Sequence, residues 1–213
     1  MSNKQPETIY LKDYQPAPFK IDELQLYFNL NEEETLVTST LKMQRTGDKN
    51  ASLGFDGQEL ELVSIKLDRE TLPAERYEID EESLTIAELP DAFELEIQTR
   101  IKPQLNTSLE GLYKSSGNFC TQCEAEGFRK VAYFYDRPDV MTLYTTTIEA
   151  DKEKYPVLLC NGNPVERGEL DNGRHWVKWH DPFKKPCYLF ALVAGQLECI
   201  EDSFTTMSGR ERV

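Results

Sequence analysis

Histidine is almost absent from this chain of 213 residues, which has only His175 and His180. HExxH needs two histidines four apart, and no such motif occurs. HWVKWH sets the pair five apart on a predicted strand, and an odd separation sends them to opposite faces. They read as surface or hydrogen-bonded histidines rather than ligands of one ion. No Ser-His-Asp set has support, and glycine-rich phosphate loops are missing as well.

Basic residues are also in deficit, with 24 Lys plus Arg against 38 Asp plus Glu and a formal charge of −14. Such a surface repels phosphate backbones, and no basic run overrides it, so nucleic acid is not an expected partner. The acidic field suits cationic ligands, although solubility alone accounts for it. No apolar run approaches the ~20 residues that span a bilayer, so no membrane partner is expected. Residues 1–20, MSNKQPETIYLKDYQPAPFK, lack the apolar run of an export signal, and the expected compartment is the cytoplasm. The five cysteines (120, 123, 160, 187 and 199) are odd in number and scattered, which fits reduced thiols better than a disulfide scaffold. Cys120 and Cys123 have knuckle spacing, but no second pair completes four zinc ligands and no βαβ unit frames a redox pair. That spacing reads as accidental.

What is present is strand after strand. In DELQLYFNL, Leu24, Leu26, Phe28 and Leu30 share one face, and in TLVTSTLKM so do Val37, Leu41 and Met43, with Ser39 between them. Val63, Ile65 and Leu67 alternate, as do Leu84 and Ile86. Phe93, Leu95, Ile97 and Ile101 face inward, interrupted only by Thr99. TLYTTTIEA, YPVLLCN and YLFALVAG are further strand-like runs, the last apolar enough to be covered on both faces. Asn172-Gly173 predicts a two-residue type I′ hairpin. Asp136 ahead of Pro138 predicts one short helix, with Asp136 as its cap. The expected fold class is all-β: a large twisted antiparallel sandwich or saddle of two or more sheets, with at most short helices. Residues 1–20 are expected as an extended arm and 21–213 as a single β saddle domain, whose polar end, SFTTMSGRERV, reads as a boundary or the lip of a linker.

The segment that stands out is 117–129, GNFCTQCEAEGFR. Gln122, Glu124 and Glu126 are spaced by two, so an extended chain would point all three the same way. A carboxylate beside an amide suits a protonated amine, one supplying Coulomb attraction and the other a directed acceptor. An ordinary polar strand edge in an acidic protein would carry the same residues.

Residues 109–146, LEGLYKSSGNFCTQCEAEGFRKVAYFYDRPDVMTLYTT, resemble the aminopeptidase N family of zinc metallopeptidases, bacterial members in particular. The stretch 155–195 matches as well, through its CNGN and NGRHW hairpins and its PCYLFALVAG run. The resemblance implies an amino-terminal β saddle packed on a thermolysin-like catalytic domain, whose G-x-M-E-N and HExxH motifs are not in this sequence and are expected beyond Val213. It assigns Glu124 to the free α-amino group of the substrate and Gln122 to the pocket for the first side chain. Glu126 and Arg129 match the motif as a supporting shell. Zinc is then the cofactor of the parent protein, its ligands outside this chain, and the partners are peptide N-termini and the parent's own catalytic domain. The function read from the sequence is amine recognition in a zinc-dependent aminopeptidase that releases N-terminal amino acids, the 213 residues alone being inactive. The alternative is a non-catalytic β-sandwich binding or docking module.

Overall fold

The computed structural model describes Thr8 and residues 10–212, so the expected arm at residues 1–20 lies partly outside the described residues. Its strands run in chain order as β1 (Phe19–Leu30), β2 (Thr35–Arg45), β3 (Leu53–Asp56), β4 (Glu61–Leu67), β5 (Glu70–Thr71), β6 (Tyr77–Ile79), β7 (Ser83–Ile86) and β8 (Ala92–Ile101). They continue as β9 (Gly111–Ser115), β10 (Asn118–Gln122), β11 (Thr142–Asp151), β12 (Val157–Cys160), β13 (Asn163–Glu169), β14 (Arg174–Lys185), β15 (Leu192–Gly195), β16 (Phe204–Thr205) and β17 (Glu211–Arg212). The only helical elements among the described residues are short 3-10 turns. No helix there is long and apolar enough to cross a membrane.

One eight-stranded sheet, ordered β13-β14-β11-β1-β2-β8-β4-β5, forms the main layer. A four-stranded sheet, β12-β15-β10-β9, and a three-stranded one, β3-β7-β6, contribute to the same apolar core. This is the all-β, multi-sheet class the alternation predicts. All pairings are antiparallel except β1 with β11, which run parallel from Glu23 beside Leu143 to Asn29 beside Glu149. That pairing joins the first half of the chain to the second, because β1 takes β2 on its other side.

The inward faces hold where alternation is unbroken. Leu24, Leu26, Phe28 and Leu30 are buried, as are Val37, Leu41 and Met43, and Phe93, Leu95, Ile97 and Ile101. A bulge at Asp22 shifts the β1 register, so Ile21 reaches the core out of phase with Leu24. A second bulge, between Leu62 and Ser64, turns Val63 outward, while Leu62 packs against the core in its place. The expectation for Val63 therefore fails, since one inserted residue inverts the phase of everything before it.

Three other local expectations are corrected. The NG hairpin has a three-residue loop: Leu170 N–H donates to Arg174 O at 2.9 Å, and only Gly173 has a positive φ, +74°. One left-handed residue at the end of a longer loop replaces the two that a type I′ turn needs. The run before Gly195 is a strand only over its last four residues, because Pro186 leads into a 3-10 turn at Cys187–Leu189. Residues 136–141 form a turn and no helix, and the nearest 3-10 turn is Phe128–Lys130.

Ser39 and Thr99 do lie on the core face. Ser39 Oγ donates to Ile97 O at 3.3 Å, whereas Thr99 Oγ1 is buried with no partner among the described residues. Burying an unpaired hydroxyl costs more than burying a methyl of the same shape. Thr99→Val is expected to raise stability by about 1 kcal/mol, seen as a higher urea midpoint at unchanged m-value. A lowered midpoint would show that the hydroxyl is satisfied after all.

Candidate functional site

Strand β10 delivers Gln122 to a turn in which Cys123 is buried and Glu124, Ala125 and Glu126 are exposed. The turn closes when Gly127 N–H donates to Cys123 O at 2.9 Å, and the 3-10 turn Phe128–Lys130 leads straight back into the core. Gln122, Glu124 and Glu126 do not share one extended face, since only Gln122 is in a strand while Glu124 and Glu126 lie in the turn that follows. The turn instead folds the amide back, and Gln122 Nε2 donates to Glu124 O at 3.1 Å.

Two glycines permit this closure. A Cβ on Gly127 would sit 2.4 Å from Gln122 O and 3.0 Å from Gly111 N, so the backbone passes where no side chain fits. Gly111, with φ +72°, faces Gln122 across the β9–β10 pair, and a Cβ there would meet Lys130 Cβ at 2.7 Å. Behind the turn, Phe128 is fully buried. Its ring meets Phe134, Phe190 and Tyr144 edge-on, with centroids 5.2, 5.4 and 6.4 Å away. Edge-to-face geometry at these distances is favourable beyond simple burial.

The two carboxylates of the turn stand in different states. Glu126 Oε2 lies 3.4 Å from Arg129 Nη2, a pairing on a side chain that is 70% exposed. Glu124 is exposed, and among the described residues no side chain pairs with its carboxylate. It is the free anion of the turn.

Arg129 has a stronger partner than Glu126. Its Nε donates to Asp136 Oδ2 at 2.9 Å, and its backbone N–H to the same oxygen at 3.1 Å. Burial alone would lower the Arg129 pKa, but the hydrogen bond to Asp136 and the charges of Asp56, Asp136 and Glu126 outweigh it and raise it. Asp136 is the residue that sequence reasoning misplaced as a helix cap. It is buried, and its N–H donates to Asp56 Oδ2 at 2.9 Å. No local pattern marks it, because its partners come from β3, the 3-10 turn and Cys187.

The thiol nearest the turn, Cys123, is buried and not a reactive centre. All five cysteines are free. Cys123 is pushed up to about 12, chiefly by burial and then by the charge of Asp136, which holds it protonated at neutral pH. The two histidines are engaged separately: His175 Nε2 donates to Tyr155 O at 2.8 Å, and His180 Nδ1 shares a 3.1 Å hydrogen bond with Thr145 Oγ1. Among the described residues no group of three His, Cys, Asp or Glu side chains could hold a metal, so the residues present do not fit a zinc centre.

Comparison with known proteins places these residues in a family context. A family model described as the peptidase M1 N-terminal domain matches residues 14–189. An aminopeptidase N of Caulobacter vibrioides is 54% identical over 99% of the chain, and one of Escherichia coli is 50% identical over 98%. The chain spans 24% of the length of each of these relatives. Among solved structures, a Legionella pneumophila aminopeptidase A in complex with aspartic acid superposes with a TM-score of 0.87 at 35% identity, over 94% of this chain and 24% of that one.

The close approach at Gly127 yields a direct test. Gly127→Ala must displace Gln122 O or open the turn, and is expected to destabilise the chain by about 1–3 kcal/mol, measured by urea unfolding. Unchanged stability would mean that the turn closes more loosely than 2.4 Å implies.

Proposed function

Because the chain belongs to the peptidase M1 N-terminal domain family, we propose that it is the substrate-amine-recognising domain of a zinc-dependent aminopeptidase that releases N-terminal amino acids from peptides. In this reading Glu124 binds the α-ammonium group of the peptide, and Gln122 lines the pocket for the first side chain. Glu126 and Arg129 support the turn. The observation that carries the reading is the contrast between the two exposed carboxylates: Glu126 is held by Arg129, whereas Glu124 is unpaired on a turn closed by backbone contacts.

The chemistry is consistent with an exopeptidase. Cutting only after the first residue requires a fixed anion that measures the distance from the terminal ammonium to the scissile carbonyl. A charge-assisted hydrogen bond to a carboxylate is directional and stronger than a neutral one, so it can set that register. The formal charge of −14 draws cationic peptide ends toward the surface. Zinc, in this proposal, is held by a part of the parent protein outside this chain, and the 213 residues alone are inactive. The β saddle, whose first strand begins at Phe19 rather than after residue 20, packs on the catalytic domain in a cytoplasmic enzyme.

The test is made in the full-length protein with an aminoacyl p-nitroanilide substrate. Glu124→Ala is expected to lower kcat/KM by a free energy of about 2–5 kcal/mol, from roughly thirty-fold to several thousand-fold. Near-normal turnover in that variant would remove the assignment of Glu124.

A further inference from the structure

Asp136 is a charge taken almost wholly out of water, its side chain only 1% exposed, at a place where no helix needs a cap. Its hydrogen bonds join Arg129, at the base of the turn that carries Glu124, to Cys187 and Asp56. Oδ2 accepts from Arg129 Nε at 2.9 Å and from Arg129 N at 3.1 Å. Oδ1 accepts from Cys187 Sγ at 3.1 Å, and the Asp136 N–H donates to Asp56 Oδ2 at 2.9 Å. From the other side, Gln58 N–H donates to Arg129 O at 2.9 Å, so Arg129 is held by both its side chain and its backbone. We propose that Asp136 is the positioning residue of the amine-recognition turn: through Arg129 it fixes residues 122–129 and keeps the carboxylate of Glu124 free for the substrate. This inference rests on the role of Glu124 given above.

Two physical arguments support it. First, the other supports of the turn lack the direction that this pair supplies. The aromatic cluster around Phe128 buries the segment but carries no charge, and the Gly111–Gly127 approach limits distance without supplying one. Asp136 Oδ2, accepting from both Nε and the backbone N–H of Arg129, fixes distance and direction together. Second, Arg129 is a cation within five residues of Glu124, and it already reaches Glu126 at 3.4 Å. An arginine released from Asp136 would have the carboxylates of its own turn as the nearest alternative partners. Pairing with Glu124 would neutralise the anion that the substrate needs. Asp136 therefore acts by holding the competing cation away. Cys187 serves the same end: burial, then the charge of Asp136, keeps its thiol protonated and so a donor to Oδ1.

The experiment compares two inhibitors on the full-length protein, L-leucine hydroxamate and its des-amino analogue 4-methylpentanohydroxamate. They share the zinc-binding group and side chain and differ only in the ammonium. Asp136→Asn is expected to cut the preference for the amine-bearing compound by about tenfold while changing affinity for the des-amino compound by less than about twofold. Arg129→Lys should show the same split, and it decides the matter if Asp136→Asn does not fold. Glu124→Gln is the control. If Glu124→Gln leaves the preference intact, the amine-recognition reading itself falls. If Glu124→Gln abolishes it but Asp136→Asn and Arg129→Lys retain it, only the role of Asp136 falls. Equal weakening of both inhibitors would mean a merely structural residue and would also overturn the proposal. Hydrogen exchange on the 213-residue chain supplies a readout free of zinc. In Asp136→Asn the Gly127 amide should exchange at least about tenfold faster while Leu41 and Leu95 in the central strands are unchanged. Uniform acceleration along the chain, or none at Gly127, counts against positioning.

Discussion

A carboxylate removed from water must be matched by a partner or it gives up its charge, and at Asp136 the match is Arg129. That pair ties together parts of the chain that are far apart in sequence. Asp56 reaches it from the end of β3, Cys187 from the turn that precedes β15, and Arg129 from the segment after β10. A buried pair of this kind is weak evidence for net stability, since well-packed apolar side chains often do as well. Its value here is specificity of arrangement. Apolar packing around Phe128 places the segment in the core, and the ion pair decides how the segment is rotated there.

The consequence is a difference between neighbouring carboxylates. Glu126 is drawn to Arg129, while Glu124 has no partner among the described residues. In an acidic chain an unpaired surface glutamate is ordinary by itself. What sets Glu124 apart is its support: a turn closed on Gly127, with the Gln122 amide bonded to the backbone of Glu124. An anion on a preorganised turn loses little conformational freedom when a ligand arrives, so more of the Coulomb attraction appears as affinity. On a loose loop, the same residue would give much of that back as ordering cost.

Much of the fold was legible because a strand with one wet face writes its burial into alternate residues, as in the run from Phe93 to Ile101. Legibility ended where a single inserted residue changed the phase. Val63 carries the right side chain in the right rhythm, but the bulge beside it turns it outward, and nothing in ELVSIKL marks the insertion. The NG loop failed for a related reason, since loop length depends on where the flanking strands stop pairing, a tertiary matter. Gln122, Glu124, Glu126 and Arg129 were singled out through the resemblance carried by the QCEAEGFR motif, whereas period-two spacing alone suggested a shared face that the turn does not make. Asp136 was legible as a residue and misread as a role. A buried ion pair closes through space, and its sequence signature, an Asp before Arg-Pro, is the same as that of a helix cap.

The proposed placing of a recognition anion on a sheet-rich domain has a physical logic of its own. A turn between β10 and the core is held at both ends by elements that cannot shift without breaking a ladder or an aromatic cluster. Small displacements of such an anion matter, because the reacting bond lies one residue from the charge it grips, and an error of about 1 Å can cost on the order of a hundredfold in rate. A rigid β layer therefore suits the part of an exopeptidase that measures distance. The metal that cleaves needs a different environment, open at one coordination position and accessible to water. In the proposed reading, dividing the two tasks between the β domain and the remainder of a longer protein lets each be built from the elements that suit it, and the buried Asp136–Arg129 pair is the element that would stiffen the measuring half.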